Sequence, residues 1–482
     1  VSVLDIVIFL PLVAAALLAV IPRGKAAGWV WVGVCSLDLA LVIVMWTGYQ
    51  GGIGYETRLR WMPSVGAGYH VGVDGLSLPL IAMTALLFLV CAVYSLGEAG
   101  RAYAALFLFL QTVSIGLFAA LDLLLFFVFF DLSIVGMYFV IVGWGHGDRA
   151  RSALKFFLYT FLGSLALLLG FIGLYLGAEP HTFDLVDLTT NPAKAGPLVL
   201  LAIGVGLAIK TPTVPVHTWL PPAHTDAPAA GSAILAGVLL KMGTYGFARI
   251  AMPMLPQAWR EYAWVIIVIG VAGVLYGALV ALAQENLKRL IAYTSVNHMG
   301  YIVLALGAAG LSAPTQAREL AVSGAVTQMV SHGLLTGALF LITGILWDRA
   351  QSYEIGKYGG MPPVLTGLMA VAAFGSLGIP GLSGFVAEFQ IFTGVIGAGA
   401  VISGALGIVG ILITAALFLR VLQRAFLGRP GELTSQVTDV RPRELAAIAP
   451  LLILSLIIGI APRWLLDLIE PAAAAIVNLV SR

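Results

Sequence analysis

VGLAIKTPTVPVHTWLPPAHTDAPAAGSAILAGVLLKMGTYGFAR, residues 205–249, decides how the chain is read. An apolar helix carries Lys210 into hydrocarbon and breaks at Thr211-Pro212 and Val214-Pro215; a second apolar helix then holds Lys241 well inside it. An ammonium near a bilayer centre costs about 2.5–3.5 kcal/mol on insertion scales, and unwound backbone at depth survives only where protein or a water-filled cavity satisfies it. The alternative is a proline kink with two lysines that snorkel to the headgroups. Two prolines, two lysines, His217 and His224 within one short segment favour an ion path instead.

Composition agrees with a membrane setting. The 482 residues are 60% hydrophobic and 10% charged, which places most of the chain in lipid. Twenty-five Lys and Arg against 23 Asp and Glu leave no basic patch for nucleic acid. Cys35 and Cys91 both fall in apolar runs without metal-ligand or disulfide spacing. No haem, iron–sulfur or nucleotide motif is present, so no cofactor is expected. Residues 3–22 have no basic segment ahead of them and read as a retained first span, not a cleaved signal.

Apolar runs of spanning length fall at about 3–22, 27–47, 73–96, 103–120, 122–144, 153–176, 196–216, 224–251, 259–283, 287–309, 316–347, 363–397, 401–426 and 443–464. The expected fold is an all-α polytopic membrane protein of about fourteen transmembrane helices. The runs at 316–347 and 363–397 exceed one crossing and should tilt, break or add an interfacial turn. The last stretch, from Trp464, is moderately amphipathic and suits an interface or a neighbouring helix. Fifteen lysines and arginines, among them Arg23, Lys25, Lys288, Arg349 and five arginines at 420–443, fall in loops after odd-numbered spans; eight, among them Arg249, Arg318 and Arg482, fall opposite. The positive-inside rule then puts both termini on the non-cytoplasmic side.

The seventh span breaks at Lys210-Thr211-Pro212 and the twelfth at 378–384, GIPGLSG, five helices later. A five-helix unit has an odd number of crossings, so a copy of it is inverted, and paired broken helices point to an inverted-repeat transporter. The expected division is 1–102 for helices 1–3, 103–251 for the first repeat, 252–426 for the second and 427–482 for the last helix and tail. Asp131, Lys210, Lys241, His298, His332 and Glu388 would then form a row through the membrane middle. A carboxylate and an amine exchange a proton once burial brings their pKa values together, and imidazole titrates near neutrality unaided. A single buried histidine is more often a helix–helix hydrogen bond than a relay; six ionisable groups in one row are not so easily explained.

VDGLSLPL at 73–80, KTPTVPVHTWLPPAHTDAP at 210–228, LLKMGTYGFAR at 239–249, LIAYTSVNHMGY at 290–301 and GIPGLSGFVAEF at 378–389 resemble the antiporter-like membrane subunits of NADH:quinone oxidoreductase (respiratory complex I). These are in turn similar to subunits of multi-subunit Mrp cation/proton antiporters and membrane-bound hydrogenases. The acid at Glu388 resembles the M-type (subunit 4) branch. The resemblance implies that Asp131 is the fifth-helix acid paired with Lys210, that Lys241 is the central lysine, that His298 and His332 continue the relay, and that Glu388 passes the proton outward. It also implies partners, the neighbouring antiporter-like chains of a membrane arm in a bacterial-type inner membrane, with redox chemistry done elsewhere in the complex. The alternative is a subunit of an Mrp-type Na+/H+ antiporter or of a membrane-bound hydrogenase, and a third class is a mainly structural membrane scaffold.

Relatives usually carry glutamate where Asp131 stands. The carboxylate is therefore one methylene, about 1.5 Å, further from Lys210, and should face it from beyond hydrogen-bond distance; Asp122 is the substitute acid should Asp131 point away. Asp38, mid-way along the second span, reads as an acid hydrogen-bonded to a neighbouring helix.

Overall fold

A computed structural model describes residues 2–18, 20, 26–98 and 100–481. Arg23, Lys25 and Arg482, all counted in the charge bias, lie outside the described residues. The molecule is a bundle of apolar helices. Among the described residues eleven are long and apolar enough to cross a membrane, and Val3–Leu18, Pro197–Lys210 and Pro363–Ser376 are shorter apolar helices.

The chain is not purely helical. Between the second and third spans, β1 (Gly54–Met62) and β2 (Ala67–Val73) pair antiparallel, with Gly54 opposite Val73 and Met62 opposite Ala67. The turn uses Gly66 at φ 66°, which costs a glycine nothing. β1 carries Glu56, Arg58 and Arg60, so the hairpin stands outside the apolar layer, and the third span starts at Ser77, not at 73. Asp122 fixes this hairpin to the bundle: its side chain caps the Leu123–Trp144 helix through the Leu124 and Leu125 amides and accepts from Gly68 N at 3.0 Å.

Both expected breaks are present. Pro212 and Pro215 cannot continue the Pro197–Lys210 helix, and the carbonyls they free find other donors: Thr213 N reaches Ala208 O at 2.8 Å and Trp219 Nε1 reaches Ile209 O at 2.8 Å. The second break separates Pro363–Ser376 from Ser383–Gly397, with Gly378 and Gly381 at φ 80° and 98°. Thr315–Ala350, by contrast, is one unbroken helix of 36 residues. At 1.5 Å per residue it is about 54 Å long, well beyond a hydrocarbon core of about 30 Å. The Ala229–Met254 span carries two wide π turns, 235–239 and 247–251, on either side of Lys241.

Contacts between loops sort the two faces. On one, Arg443 meets Glu98, Arg424 meets Glu285, and Leu287 N bonds Tyr353 O. On the other are the hairpin, the loop at 178–195 and the amphipathic Arg463–Val480 helix, whose Ser481 accepts from Arg318 and Arg260. The fully buried Asp38 accepts from Gln111 Nε2 at 2.6 Å, the helix–helix bond expected of it.

Candidate functional site

Lys210 is the last residue of its helix, 1% exposed, where the prolines end the helical ladder. Its ammonium donates to Ser133 Oγ at 2.9 Å and sits 4.8 Å from the Phe130 ring centroid. Phe130 and Ser133 are three apart and share one stripe of the Leu123–Trp144 helix, whereas Asp131 lies about 100° round from Phe130. No ion pair joins Asp131 to Lys210, although the two interact electrostatically. Asp131 is half-buried, beside Ser164 of the next helix, with Oδ1 unpartnered. The expected loosening of this pair is therefore present; direct facing is not, since Lys210 addresses the stripe beside the acid. Asp122, the substitute, is fully occupied as a helix cap.

Lys241 is fully buried, and no carboxylate is paired with it. Its Nζ donates to Ala236 O at 2.6 Å, a carbonyl inside the first π turn, and lies 2.5 Å from Nδ1 of His332. The second nitrogen of His332 meets Ser295 Oγ at 3.1 Å, and that hydroxyl in turn reaches Ile291 O. One consistent donor order runs through these atoms: an ammonium donates to Nδ1, Nε2–H donates to Ser295, and Ser295 donates to the carbonyl. Moving the proton from Lys241 to His332 makes the imidazole doubly protonated without breaking either of its bonds.

The His298 ring lies 5.3 Å from that of His332, edge to face. Its Nε2 meets the Ser376 carbonyl at 3.0 Å and must carry the hydrogen, which leaves Nδ1 as a buried acceptor with no partner. Ser376 ends the first half of the second broken helix, and Glu388, 4% exposed, packs its carboxylate against Gly378 in the same break. A side chain at 378 would collide with that carboxylate, so the glycine both makes the turn and leaves room for the acid. His298 and Glu388 thus both reach the second break, at Ser376 and Gly378 respectively. Four of the six expected residues, Lys241, His332, His298 and Glu388, are brought together; Lys210 and Asp131 stand apart across the neighbouring helices.

The chain as a whole resembles a known set of proteins. Residues 120–414 match the family described as NADH:quinone oxidoreductase/Mrp antiporter, TM. The chain belongs to that family. Within it, NADH-quinone oxidoreductase subunit M of Rickettsia prowazekii (strain Madrid E) is 36% identical over 96% of each chain. A chain of respiratory complex I from Thermus thermophilus with bound NADH superposes with a TM-score of 0.91 at 30% identity, over 99% of both. A chain of the Mrp complex from Dietzia sp. DQ12-45-1b, at 22% identity and a TM-score of 0.87 over 99% of this chain and 98% of that one, shares the fold. In this member of the family, sequence reasoning missed two groups. Ser133 holds Lys210 but has no charge to betray it. Lys288, counted with the solvent-facing loops, is 0% exposed, because Asn286 caps a helix that begins at Leu287 and turns the lysine inward.

Proposed function

We propose that this chain is the M-type, proton-translocating membrane-arm subunit of an NADH:quinone oxidoreductase, moving protons along Lys241, His332, His298 and Glu388. The observation that carries it is the contact between Lys241 and His332. Two groups that both take and give protons touch in a buried site without a carboxylate to hold either one charged. Lys210 and Asp131 act on that path from a distance, through charge. The drive comes from partner subunits of the membrane arm, neighbouring antiporter-like chains included, because redox chemistry is not done by this chain itself. The two breaks divide the chain into inverted repeats at 103–251 and 252–426. The chain is a multi-pass membrane protein, of bacterial-type inner membrane, with the face of Glu98, Glu285 and Arg443 cytoplasmic and both termini opposite.

The test is Lys241→Ala in the assembled complex in membrane vesicles. Electron transfer with an uncoupler should persist while the proton gradient collapses, and a normal gradient would overturn the reading. Growth rescue of an antiporter-deficient host by this chain would instead favour a Na+/H+ antiporter.

A further inference from the structure

Lys288 is a buried lysine that the path above does not use. Its Nζ donates to the Ala227 carbonyl, meets Tyr353 OH at 3.3 Å and sits 5.1 Å from the Tyr353 ring centroid. No carboxylate is paired with it; Asp226 and Asp348 act on it only through space. The arrangement repeats that of Lys241, a backbone carbonyl on one side and a group that can accept or donate on the other. An amine so held loses its proton without stranding a buried counter-charge, and the neutral form still donates to Ala227 while accepting from the tyrosine.

Around it the chemistry leads both outward and inward. Outward, a cavity of about 180 Å³ is lined by Tyr94, Glu98, Asp348 and Pro228, the residue after Ala227. Glu98 is at the surface, paired with Arg443 at 2.5 Å, and Asp348 accepts from Tyr94 at 3.1 Å. Tyr353 OH also meets His146 Nε2 at 3.2 Å, and the His146 ring is stacked 4.0 Å from Trp347. Inward, Ala227 and Ala236 are the carbonyls that hold Lys288 and Lys241, nine residues apart on one segment whose helix starts at Ala229. His224 lies in the electrostatic field of both lysines, fully buried, with neither ring nitrogen partnered.

Resting on the function proposed above, we infer that Lys288 is the proton-uptake residue of this chain. A proton from the Glu98 and Asp348 cavity binds the free amine; the ammonium then gives a proton toward Lys241 and returns to the amine, with no other bond made or broken. Asp348 and Tyr353 are positioning residues for that exchange.

The test compares Lys288→Arg with Lys241→Ala in the complex reconstituted in vesicles. Arginine keeps the cation and its donors but does not give up a proton at working pH. If Lys288 were only a tether, the arginine variant would pump normally. As the uptake residue it should lose pumping to the level of Lys241→Ala while uncoupled electron transfer stays intact. The residual pumping of Lys288→Gln should then rise in proportion to the proton concentration on the Glu98 face, which a purely structural role would not produce. Normal pumping by Lys288→Arg beside a dead Lys241→Ala overturns this inference alone; normal pumping by both overturns the function itself. Should the arginine variant fail to assemble, Lys288→Gln carries the same comparison, and its normal pumping counts against uptake.

Discussion

Lys241 Nζ and His332 Nδ1 stand 2.5 Å apart with no carboxylate paired to either. Both partners are buried, one on the span with the two π turns and the other on the longest helix of the molecule. A proton placed between them is shared by two bases, and its position responds to any charge that moves nearby. That is the property a redox-driven pump needs.

His332→Ala should therefore be milder than Lys241→Ala. Removing the lysine removes the carrier, whereas removing the imidazole leaves polar Ser295 and room that water can occupy. Gradient formation in vesicles checks the order, and equal losses would show that water does not take the imidazole's place in the path.

At Asp131 the expected outcome follows from charge. Asp131→Asn should impair pumping strongly and Asp131→Glu should retain it. Two unit charges about 6 Å apart still attract by about 3 kcal/mol at an effective dielectric of about 20. Ser133→Ala frees Lys210 from its hydroxyl partner and should strengthen its response to the acid. Normal gradients from Asp131→Asn would leave Lys210 without an acid partner.

The hairpin latch should be pH-dependent. His70 lies between Asp184 at 2.6 Å and Glu56 at 2.7 Å. Burial alone would push its imidazole down, but hydrogen bonds and charge from both acids raise it above the usual 6.5. Burial likewise opposes ionisation of Asp184, and the His70 partnership outweighs it, lowering that carboxyl below 3.8. The histidine's contribution is complete below pH 6.5 and is lost as pH rises through its raised value; the aspartate's is complete above 3.8 and is lost as pH falls through its lowered one. Protection factors of the amides in 54–73, taken relative to the intrinsic exchange rate at each pH, should be highest between those limits and fall on the alkaline side, and His70→Gln should remove that fall.

On topology, a cysteine at Ser435 should be labelled from the cytoplasmic side and one at Thr189 from the other. Labelling of Ser435 only from outside would reverse the orientation.

Arg349 and Glu444 pair at 2.7 Å, both nearly fully buried, joining Thr315–Ala350 to Pro442–Ile460. Arg349→Met leaves Glu444 unpaired and should cost about 3–5 kcal/mol, seen as a lower thermal midpoint of the purified complex.

What was legible in the sequence was whatever costs free energy in lipid. Lys210, Lys241 and the two breaks could be read because each is expensive unless something compensates it. The β-hairpin could not, because it lies outside the apolar layer and obeys no spanning pattern. Lys288 was misplaced for a related reason: two residues from a loop, it looks solvated until the Asn286 cap is known to start a helix there. The rotation of Asp131 away from the Phe130 and Ser133 stripe depends on helix phase, which the spacing of apolar residues in an all-apolar span does not reveal.

Asp122 sits nine residues before Asp131 on the same helix and is bonded at once to its own first turn and to the hairpin. That helix is clamped at the end from which it would have to turn. Rolling it to bring the acid toward Lys210 would tear Gly68 from the clamp. The spacing of the two charges is therefore set from the lysine's side, where the helix has already ended and the ammonium rides on a flexible four-carbon stem held by the Ser133 hydroxyl. Asp131 is the fixed jaw of this pair and Lys210 the moving one.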